Sequence, residues 1–434
     1  MGAILLTIIC ILGVGLGIGL YVSVTIGFTA LGVGLIFSDR PVWDALSYLP
    51  YNAVTTVTLL ALPLFILMGE LLLRSGITER MYDTVSKWLN WLPGGLLHTN
   101  IVASGLFACV SGSSPATAAT IGGVAIPYMS KRGYDQRMML GSIAGGGTLG
   151  ILIPPSIVMI VYAVLAGESI GQLYIAGVVP GLILLGLCLG VILIAARVRP
   201  ALAPKEASTS WAEKLAGLVW LLPILGLIVA VLGSIYAGVA TPTEAAAFGV
   251  TGALIIAAMT GRLSLSMLRE TLLATAATTS MIMLILVGAF LLQFVMAFLG
   301  LPVAMARAIA AWDLSTLQIV LACCVIYLVL GMFMESLSMI VITIPVLIPV
   351  LDSAGVDLLW FGIVVVMLVE ASMITPPVGL NLFIILGLAR RNELNDVGFK
   401  DVFLGVLPFF GALIVTLILV LIFPDLVFLL VRQM

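Results

Sequence analysis

Two clusters of small, hydroxylated and helix-breaking residues interrupt apolar sequence: Ser111-Gly112-Ser113-Ser114-Pro115, and the stretch from Gly331 through Met334, Glu335 and Ser336. Each is followed by a second interruption. The first has Gly145-Gly146-Gly147, Thr148 and Gly150 ahead of Pro154–Pro155; the second has Ser372 to Thr375 ahead of Pro376–Pro377. Backbone that leaves a helix at bilayer depth survives only inside protein or around a wet cavity, because hydrocarbon offers its N–H and C=O groups no partners. In such a place it supports two chemistries. Half-helix N-termini attract anions, while freed carbonyls and Ser/Thr hydroxyls are hard oxygen donors suited to Na⁺. This reading gives Ser111, Gly112, Ser113, Gly147, Thr148 and Gly150 as candidate Na⁺ ligands in the first cluster. The second supplies Gly331, Met334, Ser336, Thr375 and Pro376. An organic anion lying between the two tips would meet Ser113, Ser114, Pro154, Pro155, Glu335, Ser336 and Asn381.

The clusters are copies of one another. Adding 222 takes Ser114 to Ser336, Pro127 to Pro349, Gly133 to Gly355 and Pro154–Pro155 to Pro376–Pro377, with no gap. The hydrophobic profile, the turn glycine and both breaks recur together, which reads as an internal duplication.

Composition sets the solvent. Of 434 residues 62% are hydrophobic and 9% charged, with a mean hydropathy of +1.30. Soluble domains carry about 25% charged residues, so this is a polytopic membrane protein. The net charge of −2 and the absence of basic runs longer than Lys131–Arg132 and Arg390–Arg391 exclude nucleic acid as a partner. Five cysteines (Cys10, Cys109, Cys188, Cys323, Cys324) lie in apolar runs without ligand spacing and are expected to be small buried residues. The N-terminus has no basic n-region, so Met1 onward is expected to stay as a membrane anchor.

The elements that must position the clusters follow from span length and the placement of Lys and Arg. Residues 3–38 are one uncharged stretch, either a tilted broken helix or a helical pair around Gly13–Gly19. Asp39–Pro50 reads as a loop, 52–73 as a span, and 77–92 as an interfacial helix with Met81, Val85, Trp88 and Leu92 on its apolar face. Runs 97–111 and 116–130 are each too short to span comfortably. Lys87 and Lys131, Arg132 and Arg137 flank them, so they form a re-entrant hairpin open to the cytoplasm. The chain then crosses outward over 138–166, interrupted by its glycines and Pro154–Pro155, and returns through 171–196 to the linker PALAPKEASTS. Spans 215–235, 244–260 and 271–299 and an amphipathic piece at 302–312 follow. A second hairpin, 316–332 and 338–351, exits through acidic Asp352–Asp357 and so opens from the outside; 358–389 crosses inward and 402–431 back out.

Duplicated halves inserted upside down, with broken helices meeting at mid-membrane, are the architecture of secondary transporters. The sequence is, besides, similar along essentially its whole length to the large membrane subunit (M, or DctM-type) of tripartite ATP-independent periplasmic transporters. The matching stretches are LPLFILMGELLLRSGI (62–77), VSGSSPATAATIGGVAIPYMSKRGYD (110–135), IPPSIVMIVYAVLAGESIGQLYIAGVVPGL (153–182), ATPTEAAAFG (240–249) and ITPPVGLNLFII (374–385). The resemblance implies an all-α, inverted-repeat, elevator-type fold with two re-entrant hairpins and two discontinuous helices. It implies Na⁺-symport of an organic acid, of the sialic acid or C4-dicarboxylate type, across a bacterial inner membrane. A periplasmic binding protein would deliver the acid, beside a small four-helix membrane subunit carried as a separate chain. The unit boundaries expected are scaffold and arm in 1–96, transport halves in 97–170 and 316–390, scaffold again in 171–315, and a C-terminal helix in 391–434. Pro115 departs from the small residue the family more often has after SGSS.

Other residues weigh less. Glu335 is either a functional intramembrane carboxylate or a cap on the following helix. Glu370 serves either ion or proton coupling or freed backbone N–H groups, and Asn381 either substrate or kink carbonyls. Glu70 and Arg74 have ion-pair spacing, and Thr241 to Glu244 capping-box spacing. His98, the sole histidine, has no carboxylate–nucleophile constellation around it, which argues against an intramembrane hydrolase and against enzyme activity generally. Gly145–Gly147 is followed by no GKS or GKT, so direct ATP use has no support. A single-component anion transporter with the same inverted hairpins is the alternative reading.

Overall fold

The structure is a computed structural model describing residues 2–38, 43–206, 209–312 and 314–434. The described residues form helices and no strand. They are α1 (Gly2–Gly17), α2 (Val22–Phe37), α3 (Trp43–Thr55), α4 (Ala61–Arg74), α5 (Ile77–Leu89), α6 (Leu96–Ser111), α7 (Ser114–Ser130), α8 (Gln136–Leu152), α9 (Ile157–Ala166) and α10 (Ile170–Val198). Then come α11 (Trp211–Tyr236), α12 (Pro242–Met259), α13 (Leu265–Phe298), α14 (Leu301–Ala310), α15 (Thr316–Gly331), α16 (Ser336–Ser353), α17 (Leu358–Met373), α18 (Leu380–Arg391), α19 (Phe399–Ile422) and α20 (Asp425–Val431). Eight helical stretches among the described residues are long and apolar enough to cross a bilayer. Trp91, Trp211 and Trp312 are exposed near helix ends, where amphipathic rings favour the lipid–water boundary.

The duplication is visible in the turns. Asp135 and its repeat mate Asp357 cap α8 and α17, each accepting the N–H three residues on at 2.8 Å. Gly133 and Gly355 both hold positive φ (76° and 69°) in the turn before, and both Pro–Pro bonds are cis. The halves are inverted: Tyr162, near the end of α9, donates to the Leu358 carbonyl at the start of α17 at 2.6 Å. At the opposite face Arg137, at the start of α8, pairs with Asp401, in the first turn of α19 that follows α18, at 2.8 Å. That second face also carries Arg74 between Glu70 and Glu270, and Arg132 with Glu206. Its Lys and Arg make it the face expected at the cytoplasm.

α8 and α17 are sheathed on all sides and form the core of the repeats. The glycines of α8 make this possible. A Cβ on Gly141 would strike the Gly405 backbone in α19, one on Gly145 would lie 2.5 Å from Phe409, and one on Gly146 2.7 Å from Ser104 in α6. The sequence reading takes Gly145–Gly147 as a helix break. Instead α8 runs unbroken to Leu152, and the break is confined to residues 153–156. Glycine's missing side chain is used here for close approach, not for bending.

Other expectations are corrected. Residues 43–50 are helical, continuing into α3 up to Thr55, so the span begins only at Val57; residues 39–42 of the expected loop lie outside the described residues. Of the two readings of 3–38 the helical pair is the one that forms, turning at Gly19, φ +83°. Residues 402–431 are not one span, since Phe423–Pro424 separates α19 from α20. The interfacial α5 ends at Leu89, before Leu92, and lies packed against α6 and α11. Cys10 is exposed, whereas Cys188, Cys323 and Cys324 are buried. The long α10 packs extensively on α6, α8, α17, α19 and α20. The Glu70–Arg74 pair (3.2 Å) and the Thr241/Glu244 capping box form as expected.

Two hairpin tips seated on two broken helices

Hairpin 1 is α6 and α7, reversing at Gly112 in the left-handed region (φ +59°). Its tip rests on the break between α8 and α9. The Ile157 N–H donates to the Gly112 carbonyl at 3.3 Å. A Cβ on Gly112 would lie 2.8 Å from the Pro155 oxygen, and one on Gly150 2.6 Å from the Ser113 oxygen. Hairpin 2 is α15 and α16, and repeats the arrangement. The Val378 N–H, just past Pro376–Pro377, donates to the Met332 carbonyl at 3.3 Å, and Gly331 backs onto Ser372 with no room for a Cβ.

Oxygen atoms gather at tip 1. The Thr117 hydroxyl bonds both the Ser111 hydroxyl and the Ser113 carbonyl, each at 2.8 Å. Ser113 caps α7 only weakly, accepting the Ala116 N–H at 3.5 Å, so that positive end carries a neutral cap. Pro115 falls in the first turn of α7, where its missing N–H costs nothing, so it leaves the tip undistorted. At tip 2 the corresponding end is filled. The Glu335 carboxylate accepts the Leu337 and Ser338 N–H groups at 3.1 and 3.3 Å and the Ser336 and Ser338 hydroxyls. Glu335 is therefore the cap.

The remaining candidates divide. Gly150 lies against tip 1, but Gly147 faces Ala118 and Thr148 donates to the Gly145 carbonyl of its own helix at 2.7 Å. Pro154 and Pro155 are buried behind tip 1, while Pro376 is half-buried. Thr375 donates to the Ala371 carbonyl at 2.6 Å, and Met334 sits at the end of the turn with its N–H on the Leu330 carbonyl. Two bonds tie the constellations together. Asn381, fully buried at the start of α18, donates to the Ser114 hydroxyl at 2.8 Å, and buried Glu370 accepts the Leu152 N–H at 2.9 Å. Sequence reasoning missed Thr117; a hydroxyl in the first turn after SGSSP was its only signal. A cavity of about 680 Å³ between α1, α13 and hairpin 2 reaches Leu330 and Met334, but its lining is almost wholly apolar and carries no charged side chain to seat a carboxylate.

The family described as tripartite ATP-independent periplasmic transporter, DctM component, matches residues 5–426. This chain is a member of that DctM family. It is similar to the C4-dicarboxylate transporter large permease DctM of Pseudomonas aeruginosa, at 40% identity over 75% of this chain and 76% of the relative. It is also similar to the sialic acid transporter large permease SiaM of Vibrio cholerae, at 30% identity over 94% of each. Among solved structures, the YdaH transporter of Alcanivorax borkumensis shares the fold, with a TM-score of 0.64 at 16% identity over 93% of this chain and 97% of that one. A DctM chain is a multi-pass membrane permease component of a tripartite transporter, and the eight apolar helical stretches fit that role.

The Asn381–Ser114 bond predicts a local effect in this DctM protein. Asn381→Ala removes a buried donor, so amide exchange across residues 111–117 should rise about ten-fold. Unaltered exchange there would show that the bond does not hold the tip.

Proposed function

We propose that this chain is the permease of a Na⁺-driven, elevator-type importer of an organic acid handed over by a periplasmic binding protein, with a small four-helix membrane subunit as the third component. One observation carries the reading: in both halves a hairpin-tip carbonyl (Gly112 or Met332) is met by the N–H just past that half's Pro–Pro break. Such a unit can close over a bound ion and move as a block. The substrate carboxylate belongs at the α7 end, capped only by the Ser113 hydroxyl, and not at α16, where the Glu335 carboxyl group already accepts the Leu337 and Ser338 N–H groups. The oxygens of Ser111, Ser113 and Thr117 suit a hard cation, and Ser336 with Thr375 supplies the second candidate set.

The moving unit is built on residues 97–170 and 316–390, carried against a scaffold in 1–96 and 199–315. Its packing on α6, α8 and α17 adds α10 to the moving unit, and α19, on α8 and α17, joins it from the C-terminal 391–434. Relatives named for C4-dicarboxylate and for sialic acid support a carboxylate as cargo.

The test is uptake into vesicles holding the chain with its two partners under an imposed Na⁺ gradient. Ser113→Ala and Ser336→Ala should each raise the Na⁺ concentration needed for half-maximal uptake about ten-fold, or 1.4 kcal/mol of ion binding. Unchanged Na⁺ affinity in both variants would remove the proposal. Uptake that needs neither partner would favour a single-component transporter.

A further inference from the structure

In the segment joining the two halves, residues 199–206 lie across the mouth of hairpin 1. The Asp135 N–H donates to the Leu202 carbonyl at 3.0 Å. Glu206 then bridges two parts of the exit loop: Arg132 at 3.0 Å on one carboxylate oxygen and the Tyr134 hydroxyl at 3.0 Å on the other. The same hydroxyl accepts the Leu96 N–H at 3.1 Å, one of the unpaired donors at the start of α6. Burial pushes the Tyr134 phenol above its usual range, so it keeps the proton it donates to Glu206. Beyond Glu206, Thr209 accepts from Asn90 at the end of α5. Arg132 in turn lies 3.9 Å over the Tyr128 ring, which meets Tyr82 of α5 edge-on. Glu206 and Thr209 thus tie both arms of hairpin 1 to the end of α5.

The repeat shows that this is not a generic loop staple. Adding 222 carries Gly133 and Asp135 to Gly355 and Asp357, which keep the turn and the cap. It carries Arg132 and Tyr134 to Ala354 and Val356, whose side chains have no donor for a carboxylate, and Lys131 to Ser353, whose hydroxyl donates instead to the Val350 carbonyl at 2.8 Å. The turn is retained in both halves, while the guanidinium and phenol that hold Glu206 stand only in the first copy.

We propose that residues 199–206 are a latch, closed through Glu206 on Arg132 and Tyr134, which holds hairpin 1 against α5 at the cytoplasmic face and must open in each transport cycle. The requirement for opening rests on the moving-unit reading above; the latch itself does not. Two measurements separate them. Amide exchange of the purified chain in lipid nanodiscs reads the latch alone. Glu206→Ala should raise exchange in residues 131–136 and 199–206 about ten-fold, and Lys205→Ala should not. Equal exchange in wild type and Glu206→Ala overturns the latch. For the cycle, Arg132→Cys and Glu206→Cys are combined in a background with exposed Cys10 replaced by serine. They are joined by a reducible bis-thiosulfonate cross-linker in the complete three-component vesicle system. Uptake should stop on cross-linking and return on reduction. Cross-linked protein that transports at the unlinked rate overturns the requirement for opening. Vesicles of the unlinked wild type without Na⁺-driven uptake would overturn the transport reading, while the exchange comparison would still decide the latch.

Discussion

Gly405→Leu should leave almost no folded protein, and Gly141→Ala should be nearly as damaging. At their crossing α8 and α19 touch backbone to backbone: a Cβ on Gly141 meets the Gly405 carbonyl group, and one on Gly405 meets the Arg137 carbonyl oxygen. Overpacking a core costs about 1–3 kcal/mol when side chains can give way. Here the obstacles are main chain on both sides, locked in two helices, so the helices themselves must separate. Separation would strip neighbouring contacts such as Gly145 on Phe409 and the Arg137–Asp401 pair. The loss should exceed the upper end of that range. Gly186→Ala and Gly190→Ala in α10 are the controls. A Cβ there meets nothing within 4 Å, so alanine should be neutral or stabilise by about 0.5–1 kcal/mol through helix propensity. Thermal unfolding in detergent, read by loss of the monodisperse species, ranks the four variants. A Gly141→Ala protein as stable as Gly186→Ala would show that the crossing is looser than described.

Those glycines also show where sequence reading stops. A fixed repeat offset and the Lys/Arg distribution were enough to locate both hairpins, both breaks and the inversion, because those depend on hydropathy and charge along one dimension. The role of Gly145–Gly147 was misread because a glycine run reports backbone freedom equally when a helix bends and when another helix comes close. Only the neighbours, Ser104, Ala118 and Phe409, distinguish the cases. Glu335 was legible in principle. Its repeat mate is Ser113, and both sit one residue before a helix, so the shared offset marks both as caps. Glu370, Asn381 and Glu206 were not legible as partners of Leu152, Ser114 and Arg132. Those pairs are 218, 267 and 74 residues apart, and no local pattern encodes them.

Glu370→Ala is expected to cost about 3–5 kcal/mol, from the cavity it opens and the Leu152 N–H it strands. Glu370→Gln should stay within about 1 kcal/mol of wild type, since an amide oxygen can accept the same bond. The side chain is fully buried, no Lys or Arg pairs with it among the described residues, and its second oxygen has no partner there. What it does have is the last N–H of α8, from the opposite half of the molecule. The repeat mate of Glu370 is Thr148, since 370 minus 222 is 148, and the Thr148 hydroxyl turns back to its own Gly145 carbonyl. The tie between halves therefore runs one way only: the second half holds the first at its break, with no reciprocal bond at this position. If holding Leu152 is the whole role, Glu370→Gln keeps most of the Na⁺-driven uptake and Glu370→Ala loses it together with stability. A Glu370→Gln protein that melts like wild type but transports nothing would assign the second oxygen to coupling. The carboxylate would then act in the cycle itself and not only in holding the two halves together.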